Sequence, residues 1–350
     1  MRNIGLTPAL PVMLAGGLLL TALGCGEDAA SPTAPDLTPP LAPELALASN
    51  SWTARAGVPD HHSGFAVGAS ENAAGQSLVY IFGGGDEEGN TSFPPVSAYT
   101  YNVATNAWNL LPNTYMDAAN FNGVGRIGNK FYLTGGMKCC DDNFETWSKT
   151  WAYSTGTGQL TMKANMPHPT TSGVTGVING KLYVLPGSCS IEPTEPGHCA
   201  FPGAIRQLYR YDPMTNTWIT RKQAPHYHSD GAAGVIGDKF YVVGGSGQGR
   251  YLDVYDPATN TWQTRAPIPT AGTYLFGAAI QSKLFVISWS HPDGGAIVSK
   301  AYLYDPATNT WKARAAPPNG LAGPIVKVML NGVPRLFLPG GFGPSYLYTP

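Results

Sequence analysis

Histidine is the residue type in this chain best placed to do chemistry. Five of its seven histidines, His61, His62, His168, His226 and His228, each follow closely behind a proline. A neutral imidazole can ligate a transition metal or move a proton as general acid or base. No His-x-x-x-His pair accompanies them, so the spacing names no metal centre. Two acidic groups, Asp86, Glu87 and Glu88 and then Asp141, Asp142 and Glu145, offer oxygen ligands for Ca²⁺ or a cationic partner, but in no calcium-loop pattern. Beyond Cys25 stand Cys139, Cys140, Cys189 and Cys199, an even set that reads as disulfides in an exported chain. Pairing Cys189 with Cys199 closes a Pro-rich loop, worth roughly 2–3 kcal/mol in the loop-entropy account, and leaves Cys139–Cys140 as a vicinal bridge. The alternative links each of Cys139 and Cys140 to Cys189 or Cys199. Trp147 and Trp289 lie in or beside long loops and are candidates for stacking on a sugar ring or a peptide. No Gly-x-Ser-x-Gly elbow, metalloprotease motif or phosphate loop is present, so no catalytic residue, metal or cofactor is assigned.

The elements that must hold these residues are strands. Charged residues make up 12% of the 350, with 43 Gly and 31 Pro, which fits a turn-rich all-β chain. A formal net charge of −1 and no long basic run leave no electrostatic footprint for nucleic acid. Residues 255–262 and 304–311 are the same octapeptide, Tyr-Asp-Pro-Ala-Thr-Asn-Thr-Trp. Residues 211–218 differ only at Met214, 101–108 are a looser copy, and 153–160 keep the frame but have lost the Trp. Tyr ends a strand, Asp-Pro opens a turn, Asn closes it in the left-handed region, and Trp opens the return strand. Ahead of each lies a hairpin, as in 127–136 and 236–245, with Gly-Asn or Gly-Asp between apolar strands and a double glycine after them. A third copy is 177–187, with further glycine pairs at Gly83-Gly84 and Gly340-Gly341.

A double Gly, then a Tyr, then a Trp at a period near fifty resembles the kelch family over about residues 51–350. The resemblance implies a six-bladed β-propeller of four-stranded blades. The chain stops at 346–350 before a sixth Trp strand, while 51–59 match 261–269, so the strand around Trp52 is expected to close the last blade. With strands a to d in each blade, the a–b and c–d turns share one face and are short. The b–c and d–a connections share the other and are long and individual, so function is expected there.

Three regions follow: a signal peptide (1–24), a Pro/Ala-rich tether (25–50) and the propeller (51–350). Arg2, an apolar run over 10–23 and small residues before a cut make an export signal. Ala22-Leu23-Gly24-Cys25 resembles the bacterial lipobox, which implies a lipid on Cys25; by the same resemblance Gly26 favours the outer membrane or cell surface. The expected function is a tethered, monomeric, non-catalytic module binding a protein or glycan, with His62, His168, His226, His228, Trp147, Trp289, Asp141 and Asp142 as candidate contacts. The lipid anchor would be its sole link to a membrane. The alternative is a carbohydrate-active enzyme of the sugar mutarotase or epimerase type, which exported six-bladed kelch propellers resemble, with His62, His168 and His228 moving protons.

Overall fold

The computed structural model describes residues 49–60, 63–85, 98–111, 114, 121–140, 143–188, 206–245, 249–291 and 297–350, of which 138–140 and 143–145 as backbone only. Cys25, His61, His62, Asp86, Glu87, Glu88, Asp141, Asp142, Cys189 and Cys199 lie outside these residues.

The chain folds as six four-stranded antiparallel sheets. Blade 1 comprises β2 (Ala66–Glu71), β3 (Ser77–Phe82), β4 (Ala98–Asn102) and β5 (Ala107–Leu111). Blade 2 is built from β6 (Val124–Ile127), β7 (Lys130–Thr134), β10 (Thr150–Ser154) and β11 (Leu160–Met162). Blade 3 contains β12 (Val174–Ile178), β13 (Lys181–Leu185), β14 (Tyr209–Asp212) and β15 (Thr217–Thr220). Next come β16 (Ala232–Ile236), β17 (Lys239–Val243), β18 (Leu252–Asp256) and β19 (Thr261–Arg265) in blade 4. Blade 5 has β20 (Tyr274–Ile280), β21 (Lys283–Ser290), β22 (Val298–Asp305) and β23 (Thr310–Arg314). In blade 6, β24 (Val326–Leu330), β25 (Val333–Leu338) and β26 (Ser345–Thr349) are completed by β1 (Ser51–Arg55), as expected for the strand around Trp52.

The first strands of the blades, β2, β6, β12, β16, β20 and β24, each neighbour the next, and β24 returns to β2, so the ring is closed. Close approach between blades needs a bare backbone at points. A Cβ on Gly176 in β12 would stand 2.7 Å from the Phe240 ring of the next blade. The second strands supply the core, with Ile81, Leu133, Val184, Val242, Val286 and Phe337 all at 0% exposure.

The octapeptide does more than turn the chain. In blade 4 the Tyr255 hydroxyl donates to Asn260 Oδ1 at 2.8 Å, and Asn260 sits at φ 55°. The same oxygen accepts the backbone N–H of Lys222 in blade 3 at 2.9 Å, while the Trp262 indole N–H donates to the Lys222 carbonyl at 2.8 Å. One residue of the preceding blade is thus gripped at both its donor and its acceptor. The clamp recurs as Tyr101, Asn106 and Trp108 on Ala56. It recurs again as Tyr211, Asn216 and Trp218 on Ala164, and as Tyr304, Asn309 and Trp311 on Ala266. Across the closure Tyr348 donates to Asn50 at 2.9 Å, and Asn50 and Trp52 hold Ala315. Asn50, placed by the sequence at the end of the tether, is therefore part of blade 6. Blade 2 has Gly158 and Leu160 in the Asn and Trp places.

Replacing Asn260 by Ala removes an acceptor from two donors and puts a Cβ without a compensating amide in the left-handed region. The expected cost is about 2 kcal/mol. Asn260→Gly relieves the backbone part and should recover a portion of it, which chemical denaturation of the two variants measures.

Two departures from the sequence reading concern loops. Between β7 and β10 an extra hairpin, β8 (Met137–Cys140) and β9 (Asn143–Thr146), stands where a loop was expected, with Cys139 and Cys140 in β8. Trp289 lies inside β21, which with β22 extends further than its counterparts, so it is a strand residue rather than a loop residue.

Candidate functional site

On the b–c/d–a face the link entering the blade meets that blade's third strand in blades 1, 3, 4 and 5. In blade 5, Thr270 of the link meets Tyr302 of β22 at 2.7 Å. In blade 1, Asp60 accepts a hydrogen bond from the Tyr99 hydroxyl of β4. In blade 3, His168 packs beside Tyr209 of β14, ring centroids 6.3 Å apart. The strand residue in each case stands two places before the octapeptide Tyr. That place is aromatic in five blades (Tyr99, Trp151, Tyr209, Tyr302 and Tyr346), and in blade 4 it is Asp253.

Asp253 has 0% exposure and is met from three sides. His226 Nδ1 and His228 Nε2 approach its Oδ2 at 2.8 and 3.0 Å, and the Thr264 hydroxyl donates to its Oδ1 at 2.7 Å. Burial by itself would push this carboxyl up. Hydrogen bonds from His228, Thr264 and His226, together with the His228 charge, outweigh burial and hold it below the usual carboxylate range. His228 is also fully buried, and its Nδ1 faces the Gly244 carbonyl at 2.9 Å. Each of its ring nitrogens thus faces an oxygen, the Asp253 carboxylate on one side and the Gly244 carbonyl on the other.

His226 differs. Its side chain is 27% exposed and lies flat on Tyr251, with centroids 3.6 Å apart and planes 7° apart. With Nδ1 spent on Asp253, the other nitrogen is directed by that contact, the way a carboxylate orients a catalytic or ligand-binding imidazole. In the same link Asp230 is pushed up by burial, against hydrogen bonds from Ser229 and Ser172.

The structure therefore gathers two candidate residues, His226 and His228, on one carboxylate of one blade. His168 stands at the equivalent link position of blade 3, beside Tyr209. Trp147 is buried at 6% exposure against Trp151 and carries the Lys149 ammonium 3.4 Å from its ring centroid. Trp289 is half-buried, beside Tyr274 and His291, and its indole donates to the Gly320 carbonyl at 3.2 Å. Asp253 escaped the reading of the sequence; aligning the residues two places before each octapeptide Tyr would have singled it out. Among the described residues no group of three or more His, Cys, Asp or Glu side chains is arranged to hold a metal ion.

Six radial four-stranded sheets closed by a strand from the other end of the chain define a six-bladed β-propeller. With its double-glycine, Tyr and Trp landmarks, the chain is a kelch-repeat β-propeller. No protein-family model matches it. It is similar to Kelch-like protein terF of Aspergillus terreus, 26% identical over 145 residues that cover 39% of this chain and 30% of the relative. A stretch of 127 residues is 32% identical to the N-acetylneuraminate epimerase of Haemophilus influenzae, covering 35% of this chain and 28% of that enzyme. The chain thus spans less than a third of the length of these curated relatives. A solved structure titled "Structure of YjhT" superposes with a TM-score of 0.60 at 16% identity, covering 83% of this chain and 94% of that one, a likeness of fold.

Proposed function

We propose that this propeller is a non-catalytic binding module that recognises a protein or glycan through its b–c/d–a face. The observation that carries the reading is the asymmetry of the two faces. One face is made of short turns whose side chains serve the fold, as Asn260 and its equivalents do. The other carries the long connections and the one blade where the repeat exchanges an aromatic for a buried carboxylate with two histidines. A rigid scaffold with individual loops on one side is the usual arrangement of a recognition surface.

The test is face-specific. A ligand found by screening protein and glycan arrays should lose affinity with Tyr251→Ala or Tyr274→Ala, and keep it with Thr259→Ala on the short-turn face. Loss confined to Thr259→Ala would refute the assignment of the face.

A second reading, a sugar mutarotase or epimerase, is favoured by a specific feature, the imidazole of His226 oriented by Asp253. It is favoured also by the partial similarity to an N-acetylneuraminate epimerase. In that reading His226 takes the proton of the anomeric hydroxyl as the ring C–O bond breaks. A carbonyl forms at the anomeric carbon, the ring oxygen takes a proton from water, and the reverse addition to either face of the carbonyl exchanges the anomers. NMR measurement of anomer exchange separates the two readings: a rate equal to that of buffer rejects the enzyme.

A further inference from the structure

Five of the six blade junctions carry the clamp, and the junction between blades 1 and 2 lacks it on both sides. In blade 2 the octapeptide frame has Gly158 for the Asn that accepts and Leu160 for the Trp that donates. The gripped residue stands four places after the Trp of its own blade, as Ala56 does after Trp52 and Lys222 after Trp218. In blade 1 that place is Pro112, which has no N–H to give. An arginine stands three places after the Trp at Arg55, Arg221, Arg265 and Arg314, and Arg221 Nε donates across its junction to the Tyr255 hydroxyl at 2.9 Å. In blade 1 the same place is Leu111. Grip and gripped have changed together.

The turn that elsewhere reaches across is here tied back to its own blade. Thr155 gives both its N–H and its hydroxyl to the Asn129 carbonyl of blade 2, at 2.9 and 3.0 Å. Among the described residues the turn 154–159 makes no hydrogen bond to blade 1, and the Tyr153 hydroxyl meets no acceptor. A Cβ on Gly158 would stand in open space. The outer strand that follows, β11, has three residues where the other five outer strands have four or five. Deeper in, the same junction is well packed. The Tyr80 and Phe82 rings of blade 1 lie 4.9 to 6.0 Å, centroid to centroid, from those of Phe131 and Tyr153. What is missing is confined to the rim.

Local opening selects the elements held by the fewest bonds and contacts. A clamped junction has two hydrogen bonds across its rim, as Asn260 and Trp262 make to Lys222, and each shifts an opening equilibrium by about fivefold. We propose that the rim of the propeller parts between blades 1 and 2, where the turn 154–159 and β11 swing out while the other five junctions stay shut. The aromatic wall beneath keeps the ring closed as the rim opens. This seam belongs to the rim and holds whichever ligand the b–c/d–a face takes.

Native-state hydrogen–deuterium exchange of the full chain, read by mass spectrometry and corrected for intrinsic rates, tests it. Amides of 154–162 should exchange about tenfold or more faster than those of 256–264, their equivalents in blade 4. Pro112→Ala, Gly158→Asn and Leu160→Trp together rebuild the clamp, and should slow 154–162 by about tenfold while 256–264 keep their rates. Asn suits the backbone at 158, since Gly158 has φ 68° and the clamp residues Asn106 and Asn260 have φ 56° and 55°. Pro112→Ala with Gly158→Asn leaves out the bulky ring and restores one of the two bonds, so about fivefold slowing is expected. Should the triple variant fail to fold, this double variant decides. Equal protection of the two segments in the parent overturns the proposal, as does a double variant whose 154–162 exchange is unchanged. Slowing by one factor over both segments would mean a stabilised ring rather than a closed seam, and overturns it as well.

Discussion

Moving residues 48–59 from in front of the propeller to directly behind Pro350, with no linker, is expected to leave the melting temperature within a few degrees of the parent. Deleting the same residues is expected to lower it by on the order of 10 °C. The two outcomes follow from one observation. Tyr348, Thr349 and Pro350 at one end, and Ala48, Ser49, Asn50, Ser51 and Trp52 at the other, spell one octapeptide of the repeat, cut in two. Tyr348 bonds Asn50, and Asn50 and Trp52 grip Ala315, as their counterparts do within single blades. Joining Pro350 to Ala48 writes Tyr-Thr-Pro-Ala-Ser-Asn-Ser-Trp, which differs from Tyr-Asp-Pro-Ala-Thr-Asn-Thr-Trp only by Thr for Asp and Ser for Thr. The new ends, before Asp60 and after Pro59, fall in a surface link, where permutation is tolerated. Deletion instead exposes the edge of β26 and removes Trp52, which packs 5.0 Å from Tyr348 and 6.1 Å from Phe285. Loss of a packed Trp alone costs about 3–5 kcal/mol. Circular dichroism melts of the parent, the deletion and the permutant decide it; a deletion that melts with the parent would sink the closure account.

The propeller was legible because its landmarks are local and repeated: Tyr, Asn and Trp recur at fixed offsets, and each offset has a backbone reason. What stayed hidden is what the repeat does between blades. Asn260 reads from the sequence as a turn residue tolerating positive φ. Its second role, holding Lys222 of the previous blade, needs the ring to exist. Asn50 read as tether for the same reason, its Tyr partner being at the far end of the chain. The candidate site was harder still. His168 and His226 occupy the same place in successive links, yet one faces Tyr209 and the other Asp253, so equal spacing hid unequal surroundings. Trp147 sat among loop residues in the sequence, but β8 and β9 fold over as a hairpin and the indole goes inside.

Replacing Asp253 by Asn is expected to destabilise the protein by about 3–5 kcal/mol, the cost of breaking a buried charge pair from one side. The amide puts a donor where the carboxylate offers only acceptors, in a fully buried place where His226, His228 and Thr264 all converge on residue 253. The loss has a defined pH dependence. The Asp253 carboxyl is held below its ordinary range in the folded protein, whereas in the unfolded chain it titrates near 3.9. Its contribution is therefore complete above about pH 4 and disappears as pH falls through the folded value. Parent and Asn variant should differ most at neutral pH and converge in acid; a gap that is constant down to pH 3 would contradict the linkage. The repeat itself supplies the compensating change. Blade 3 has Tyr209 where blade 4 has Asp253, and buried Thr170 where blade 4 has His228. Asp253→Tyr alone drives a ring against His228, but Asp253→Tyr with His228→Thr copies the blade 3 pair. The double variant should be more stable than either single one, a coupling that a double-mutant cycle reads directly. If the singles merely add, the carboxylate and the imidazole are not the unit described here, and the positioning of His226 would have to come from elsewhere.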